Sequence, residues 1–325
     1  AITSVSIASG ATLSAGSTAT DAYTLTIAGN WTNSNTSGGF AANNSTVQFT
    51  GINVAISGSQ TFYKAIFSGV NAVSGNNTIT NAIFTGNTTL SGNNTITTFT
   101  AETGGIALSV NGSQTISGAL TLKGTENNLL SVAGSGSFVL SADTEAQYLS
   151  VGKDIKVLDA NGNTKNVFII AKNSEKASDT DYLTLISHGW LLKEWTGTAT
   201  WTGAESTLWS NSANWDFEIV PGQTSLVAGL SAEALEKYAT YLTTAKLAVI
   251  IPAATNSPTA DSAYTVQSLN LSSENAVLNT ESSLLTVSNT LTNKGRIVCT
   301  AGYKLTNGTA FINDAANGGT VDYTA

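Results

Sequence analysis

A short motif that returns at a nearly constant interval constrains the fold of this chain more than any other feature. A glycine, two polar residues, a threonine and an apolar residue occur together four times, at intervals of 17, 17 and 20 residues: Gly58–Phe62, Gly75–Ile79, Gly92–Ile96 and Gly112–Ile116. A fixed period of this size is typical of solenoids, whose repeats bury apolar residues only by stacking on their neighbours. Such a repeat has room for two or three strands of about five residues, but not for a helical hairpin. Each repeat is therefore predicted to be one coil of a β-solenoid (a β-helix), and the chain to be all-β.

The period also predicts which side chains meet when the coils stack. Hydrogen-bonded strands lie about 4.8 Å apart, so like residues are expected to lie over like residues in columns. One column is expected to point inward and form the core of the stack: Phe62, Ile79, Ile96 and Ile116. The paired asparagines of the repeat suit turns and can form side-chain ladders. A β-sandwich is the competing interpretation, but the repeats match in residue type as well as in hydrophobicity, which favours the solenoid.

Composition supports a folded, β-rich chain and argues against some classes of partner. Charged residues make up 10% of the 325 residues and hydrophobic residues 41%, an apolar content too high for a disordered chain. The net charge of −8 argues against nucleic acid or an anionic membrane surface, because both bind clustered lysine and arginine. No run of about 18 apolar residues is present, so no membrane insertion is predicted. Cys299 is the only cysteine, which excludes an intrachain disulfide, and it is expected to pack in the core.

The repeat divides the chain into three predicted segments. Residues 1–140 form an N-terminal β-solenoid block, in which short alternating apolar runs precede and follow the periodic part. Residues 141–194 carry more charge and break the period. Residues 195–325 begin with a tryptophan-rich stretch and continue as a second β-solenoid block, interrupted near 231–245 by a helix that Ser231 can cap.

The middle segment is predicted to be an inserted unit rich in β-hairpin. Two apolar runs flank Asn161–Gly162, a dipeptide typical of tight hairpin turns, and Tyr182–Ile186 is expected to be a third strand. The spacing of Asp159, Asn161 and Asn163 also resembles the start of a calcium loop. The glycine, however, falls at the fourth position rather than the sixth, and Ile170 stands where the loop needs a glutamate. The turn is therefore the preferred interpretation, and no metal or cofactor is predicted.

Four of the six tryptophans cluster at the start of the third segment and allow two interpretations. The four are Trp195, Trp201, Trp209 and Trp215. As exposed rings they could form an aromatic patch that stacks on glycans. As buried rings they would fill irregular space where the solenoid restarts, with each indole N–H bonded to a backbone carbonyl. The structural interpretation is favoured.

Several stretches resemble a known class of bacterial proteins. They are Leu25–Asn33, Ser45–Gly51, Ile56–Tyr63, Trp201–Gly203, Ala213–Trp215, Val220–Gly222, Val249–Pro252, Ser268–Leu271 and Leu284–Asn293. Together they are similar to filamentous-haemagglutinin-like and autotransporter-passenger β-helix proteins, over about two thirds of the chain. The resemblance implies a secreted or cell-surface protein that adheres or assembles. It implies no catalytic residue.

The distribution of charged residues makes an enzyme the least favoured function. Polysaccharide-degrading β-helices need clustered carboxylates, or carboxylates with basic residues, over successive coils. Residues 51–118 contain one acid, Glu102, and one base, Lys64, while the single histidine, His188, lies outside them. No catalytic site is therefore predicted.

The favoured function is structural. No polar capping element is visible at the first or last residues, and an open solenoid end is a template for strand addition. A head-to-tail contact that does not close produces a filament. The sequence thus predicts a subunit or segment of a self-assembling filament or adhesin stalk, with another copy of the chain as partner. A glycan- or surface-binding adhesin module that uses the tryptophan cluster is the alternative.

Overall fold

The computed structural model confirms that the chain is an all-β solenoid. Strands account for 45% of the chain and helices for 7%, and the strands stack in parallel as about 14 coils. The coils form two compact units, Ala1–Lys193 and Glu194–Ala325. The division of the sequence into segments 1–140, 141–194 and 195–325 stays a prediction. The structure describes residues 1–18, 20–36, 38–194, 197–223, 230–242, 247–280, 285–300, 305–307 and 310–324.

The described residues of the first unit form one helix, α1 (Tyr182–Ser187), and many short strands. In chain order the strands are β1 (Val5–Ile7), β2 (Leu13–Ser14), β3 (Thr24–Ile27), β4 (Trp31–Asn33), β5 (Phe40–Ala41), β6 (Thr46–Phe49), β7 (Val54–Ser57), β8 (Thr61–Phe67), β9 (Asn71–Val73), β10 (Thr78–Phe84), β11 (Thr88–Leu90), β12 (Asn94–Ala101), β13 (Ala107–Val110), β14 (Ser113–Ile116), β15 (Leu120–Leu122), β16 (Leu130–Ala133), β17 (Ser137–Val139), β18 (Thr144–Gln147), β19 (Leu149–Val151), β20 (Lys156–Leu158), β21 (Ile169–Lys172), β22 (Glu175–Lys176) and β23 (Trp190–Leu191).

Two nine-stranded parallel sheets make up most of the first unit. One has the order β1-β4-β7-β9-β11-β13-β16-β19-β22. The other runs β20-β17-β14-β12-β10-β8-β6-β3, and β15 also pairs with β12. Smaller sheets join β2 to β5 and β18 to β21 and β23. Because each strand pairs with the equivalent strand of the next coil, the apolar residues of successive coils meet along the axis.

The core consists of columns of like residues. Phe62, Ile79, Ile96 and Ile116 lie in register on adjacent strands and are buried. Phe67 and Phe84 also point inward and are fully buried, and their rings stack with centroids 4.9 Å apart. Ile66 and Ile83, one residue earlier, are only half-buried, because adjacent residues of a strand point to opposite faces.

A ladder of buried amides runs beside the apolar columns. The Nδ2 of Asn77 donates to the Oδ1 of Asn94 at 2.8 Å, and the Nδ2 of Asn94 donates to the Oε1 of Gln114 at 2.8 Å. The backbone N–H groups of Gln60 and Asn77 donate to the Oδ1 atoms of Asn77 and Asn94, respectively. At the other end of the ladder, the indole N–H of Trp31 donates to the Oε1 of Gln60 at 3.0 Å. The ladder satisfies polar groups that the tight stacking removes from water.

Two features require glycine at this position of the repeat: a left-handed backbone conformation and a lack of room for a Cβ atom. Gly75 and Gly92 have φ values of +88° and +89°, in the left-handed region that favours glycine. A Cβ added at either one would lie 2.3 Å from the carbonyl oxygen of the repeat glycine one coil earlier. The recurring glycine therefore allows the turns of successive coils to approach closely.

The predicted hairpin about Asn161–Gly162 is wrong. The flanking strand β20 pairs in parallel with β17, and β21 pairs in parallel with β18 and β23. The Asn-Gly turn itself is present, because the N–H of Gly162 donates to the carbonyl of Asp159. The Asn-Gly dipeptide determines only the conformation of its own loop. Which strands pair is determined by stacking on the preceding coil.

The predicted third strand at Tyr182–Ile186 is also wrong, since these residues belong to α1. Asp181 caps this helix, and its carboxylate accepts from the backbone N–H of Thr184 at 2.8 Å and from the hydroxyl of Thr184 at 2.9 Å. Leu185 and Ile186 are buried. A good N-cap and two apolar residues facing the core outweigh the strand propensity of this stretch.

The second unit also contains parallel coils. Its helices are α2 (Ala232–Lys237) and α3 (Ala239–Leu242), and Ser231 caps α2 as predicted, by accepting from the N–H of Ala234. Short 3₁₀ turns occupy Ser212–Asn214 and Ala315–Asn317. The strands are β24 (Thr198–Thr200), β25 (Ala248–Ile251), β26 (Thr259–Ala260), β27 (Tyr264–Val266), β28 (Ser268–Leu271), β29 (Val277–Thr280), β30 (Leu285–Val287), β31 (Thr290–Asn293), β32 (Arg296–Thr300), β33 (Leu305–Asn307), β34 (Ala310–Asn313) and β35 (Thr320–Thr324).

Three parallel sheets organise the second unit. Their orders are β24-β25-β28-β31-β34, β26-β29-β32-β35 and β27-β30-β33. Tyr238 and Leu242 are buried, so the apolar face of the helical segment lies against the rest of this unit. Cys299 is also buried, within β32.

The amide ladder predicts a large penalty for truncating one of its members. Asn94→Ala removes the acceptor of two donors on Asn77 and the donor to Gln114, and should lower the free energy of unfolding by about 2 kcal/mol or more. Asn93→Ala is the matched control, because Asn93 is exposed on the outer side of the same turn and bonds to the N–H of Ser113. Chemical denaturation of both variants measures the difference, and an equal loss in both would contradict the stabilising role of the buried ladder.

A substitution at Asn71 is expected to stabilise the fold, in contrast to the loss expected for Asn94→Ala. Its side chain is buried in an inward column between Val54 and Thr88, and neither amide atom has a hydrogen-bond partner among the residues that the structure describes. Asn71→Val should therefore raise the free energy of unfolding by about 1–2 kcal/mol. Thr88→Val is the control, since the Thr88 hydroxyl donates to the carbonyl of Gly86 and its removal should give no gain. A lower melting temperature for Asn71→Val would refute this account of the column.

Candidate functional site

Three of the four clustered tryptophans are part of the interior. Trp201, Trp209 and Trp215 are buried, and the ring of Trp215 meets the other two edge-to-face with centroids 5.0 and 4.7 Å apart. Their indole N–H groups donate to the backbone carbonyls of Asn256, Pro221 and Trp209. These rings present no face on which a sugar could stack, which corrects the alternative of an exposed aromatic patch at these positions. Trp195, its fourth member, lies outside the described residues.

The Asp159 loop satisfies its own carboxylate. The Oδ1 of Asp159 accepts from the backbone N–H groups of Asn161 and Asn163 at 2.9 and 2.8 Å. The Oδ2 accepts from the Nδ2 of Asn166 at 2.7 Å. The loop therefore uses the carboxylate to close a turn. Within the residues that the structure describes, no group of three or more histidine, cysteine, aspartate or glutamate side chains could hold a metal ion.

A second carboxylate, which sequence reasoning missed, anchors a loop of the second unit. Asp261 accepts from the backbone N–H of Ser210 at 3.1 Å, from the Ser210 hydroxyl and from the Tyr264 hydroxyl at 2.9 Å. Burial, followed by the hydrogen bond to Asp261, raises the pKa of Tyr264 well above its usual range. Trp209 stacks on the Tyr264 ring with centroids 5.5 Å apart. Both carboxylate oxygens are engaged within the loop, so the arrangement holds Trp209 in place.

His188 has a structural position at the end of α1. Its ring Nδ1 lies 2.7 Å from the carbonyl oxygen of Lys153, and its own carbonyl accepts from the N–H of Val157. The residue thus ties the helix end to the loop before β20. Both contacts are with backbone groups, as is usual for a residue that caps the C-terminus of a helix.

The edge of the first coil exposes apolar side chains that belong to the core columns. A groove of about 440 Å³ there is lined by side chains that include Ile2, Val5, Leu13 and Leu25. Val5, Leu13 and Leu25 are only partly buried, and Ile2 is 42% exposed. β1 pairs with β4 on one side and has no strand on its other side among the described residues. This edge therefore combines free strand backbone with apolar surface.

The last described coil of the second unit has the same character. Phe311 on β34 continues an inward column through Ala199, Val249, Leu269 and Leu291. The earlier members of this column are buried, but Phe311 is 48% exposed and the adjacent Ile312 is 52% exposed. β34 is an edge strand, with β31 as its neighbour in the sheet. We call these two surfaces the coil edges. The edge of the first coil is defined by Ile2 and Val5, and the edge of the last described coil is defined by Phe311 and Ile312.

Comparison with family models, with curated proteins and with solved structures finds no match for this chain. None of the helices in the described ranges is long and apolar enough to cross a membrane. The candidate site is thus defined by geometry alone, and the geometry singles out the two coil edges.

The Asp159 loop predicts a measurable pH dependence. Hydrogen bonds from Asn166 first, and then from Asn163 and Asn161, lower the pKa of Asp159 from 3.8 to about 2. Because the folded-state pKa lies below the unfolded value, the loop is fully stabilised above about pH 4 and loses this contribution as the pH falls through about 2. A carboxyl-carbon NMR titration should give a midpoint near 2, and Asn166→Ala should move it upward. A midpoint at the ordinary value in the unsubstituted chain would contradict the loop geometry.

Proposed function

We propose that this chain is a structural element of a secreted or cell-surface bacterial assembly: a subunit or segment of a filament or adhesin stalk, extended axially through its coil edges. The observation that carries the proposal is the exposure of core-column residues at both coil edges, with Ile2 at one and Phe311 at the other. The sequence resemblance to bacterial β-helix surface proteins supports the location. No catalytic role is assigned.

Parallel topology makes axial extension straightforward. Every strand pair between the described strands runs in the same direction from coil to coil. A further coil can therefore add to β1 or β34 by the same hydrogen bonding and by the same stacking of apolar side chains. Two different surfaces meet in such a contact, so it repeats without closing and gives a linear polymer. Further coils of one chain would extend the stack by the same interactions.

Charge at the coil edges should block this contact, because a glutamate there would be buried without a partner. We expect the unsubstituted chain to form unbranched fibres with a regular axial repeat as its concentration rises, as seen by electron microscopy and sedimentation. Ile2→Glu and Phe311→Glu should each abolish the fibres. An equimolar mixture of the two variants should give dimers, since each variant retains one intact edge. Ile52→Glu, at a turn residue that is 80% exposed, is the control and should leave the fibres unchanged.

Two results would overturn the proposal. The first is an unsubstituted chain that stays monomeric at every concentration. The second is fibres that form equally well from both edge variants, which would place the contact elsewhere on the surface. Circular dichroism of each variant verifies that the solenoid is still folded.

A further inference from the structure

The outer surface of the first unit contains a depression that the structural role does not use. It has a volume of about 330 Å³ and lies over β8, β10 and β12. We call it the axial groove and define it by six lining residues: Tyr63, Lys64, Asn81, Ile83, Thr98 and Thr100. It is independent of the coil edges and of the buried tryptophans.

The groove follows a bend in three long strands. The first half of β12 pairs with β14 and its second half pairs with β15, so the strand passes from one face of the solenoid to the next. At the bend, the in–out alternation is interrupted, because two successive residues of each strand point outward, such as Thr97 and Thr98. The two halves of the strand form the walls of the groove.

The side chains of the groove are held in fixed columns. Lys64, Asn81 and Thr98 lie in register on the three strands, at a spacing of about 4.8 Å. Their inward neighbours Ala65, Ala82 and Phe99 are fully buried. The core therefore fixes the backbone positions from which these polar side chains project.

The chemistry of the groove suits a sugar polymer. Tyr63 is 39% exposed and Ile83 is half-buried, so the lining of the groove includes one aromatic and one apolar side chain. Asn81 donates to the carbonyl of Tyr63 at 3.4 Å, while its Oδ1 accepts no hydrogen bond from the described residues. Thr98, Thr100 and Lys64 add hydroxyl and ammonium donors. Aromatic stacking combined with side-chain hydrogen bonds is what a chain of hydroxyl-bearing rings requires.

A second depression extends the groove along the axis. It has a volume of about 230 Å³, and its lining includes Thr121, which pairs in register with Thr100 of the axial groove. In its lining, Lys172 forms an ion pair with Glu145 at 2.8 Å. The other lysine of this lining, Lys123, is the strand neighbour of Glu102, because Leu122 pairs with Ala101. Two of the three lysines along the path thus lie beside a carboxylate, and Lys64 is the third, which favours an uncharged ligand over a strongly anionic one.

From these observations we infer that the axial groove binds an uncharged, hydroxyl-rich polysaccharide in an extended conformation. One sugar ring stacks on Tyr63, and hydroxyl groups of the chain bond to Asn81, Thr98, Thr100 and Lys64. The polymer lies along the solenoid axis and continues over Thr121. This activity does not depend on assembly through the coil edges.

The test is a titration of the protein with β-1,4-linked hexasaccharides of glucose, xylose, mannose and N-acetylglucosamine, followed by calorimetry and by amide NMR shifts. At least one of them should bind and shift the amides of β8, β10 and β12. Tyr63→Ala should weaken that binding by about tenfold or more. Tyr23→Ala is the matched control, because Tyr23 is 58% exposed in the same unit and lies outside the groove lining.

Thr98→Val tests the polar wall with a substitution of similar volume, and it should weaken binding without changing the melting temperature of the protein. The proposal is overturned if no hexasaccharide shifts the groove amides, or if Tyr63→Ala and Tyr23→Ala bind equally well. It is also overturned if hexagalacturonate alone binds, with an affinity that salt lowers, because the ligand is then anionic. None of these outcomes bears on fibre formation, so the two proposals fail separately.

Discussion

In-register parallel pairing between successive coils is the interaction on which the rest of this structure depends. A single coil contains too few residues to bury its own apolar side chains, so its stability comes from the coils on either side. The pairing brings Ile79 over Phe62 and Ile96 over Ile79, and it aligns the asparagines of the turns at the same time. Among the described strands, it also leaves the outermost strands β1 and β34 with one partner each. Core, ladder and exposed coil edges are thus consequences of one constraint.

The parts of the fold that could be predicted are those in which the repeat and the chemistry of the residues agree. The column from Phe62 to Ile116 follows from a period that keeps like residues in register. The helix capped by Ser231 follows from a cap, an acidic first turn and an apolar face, all of which are local signals. The exposed residue Phe311 could not be anticipated, because its position depends on the register of the column that ends at it.

The failures occur where local propensity and stacking disagree. Asn161–Gly162 forms its turn, but the strands on either side pair with other coils, and no local signal carries that information. At Tyr182–Ile186 a signal was present, since Asp181 stands three residues before Thr184 as a helix cap does. The axial groove could not be predicted, because it depends on a bend within β8, β10 and β12 that interrupts the alternation without any glycine or proline in those strands.

The buried amide ladder has a direction over two of its members. The side-chain amide of Asn77 donates to Asn94 and that of Asn94 donates to Gln114, each to the next coil, whereas the amide of Gln114 donates back to the carbonyl of Gly92. The orientation of Asn77 and Asn94 is fixed, because a backbone N–H must find the oxygen of each side-chain amide. The dipoles of these two amides therefore point the same way along the axis and strengthen each other in a low-dielectric interior. Within this part of the first unit, the face of a coil toward the preceding coil differs electrically from its face toward the following one.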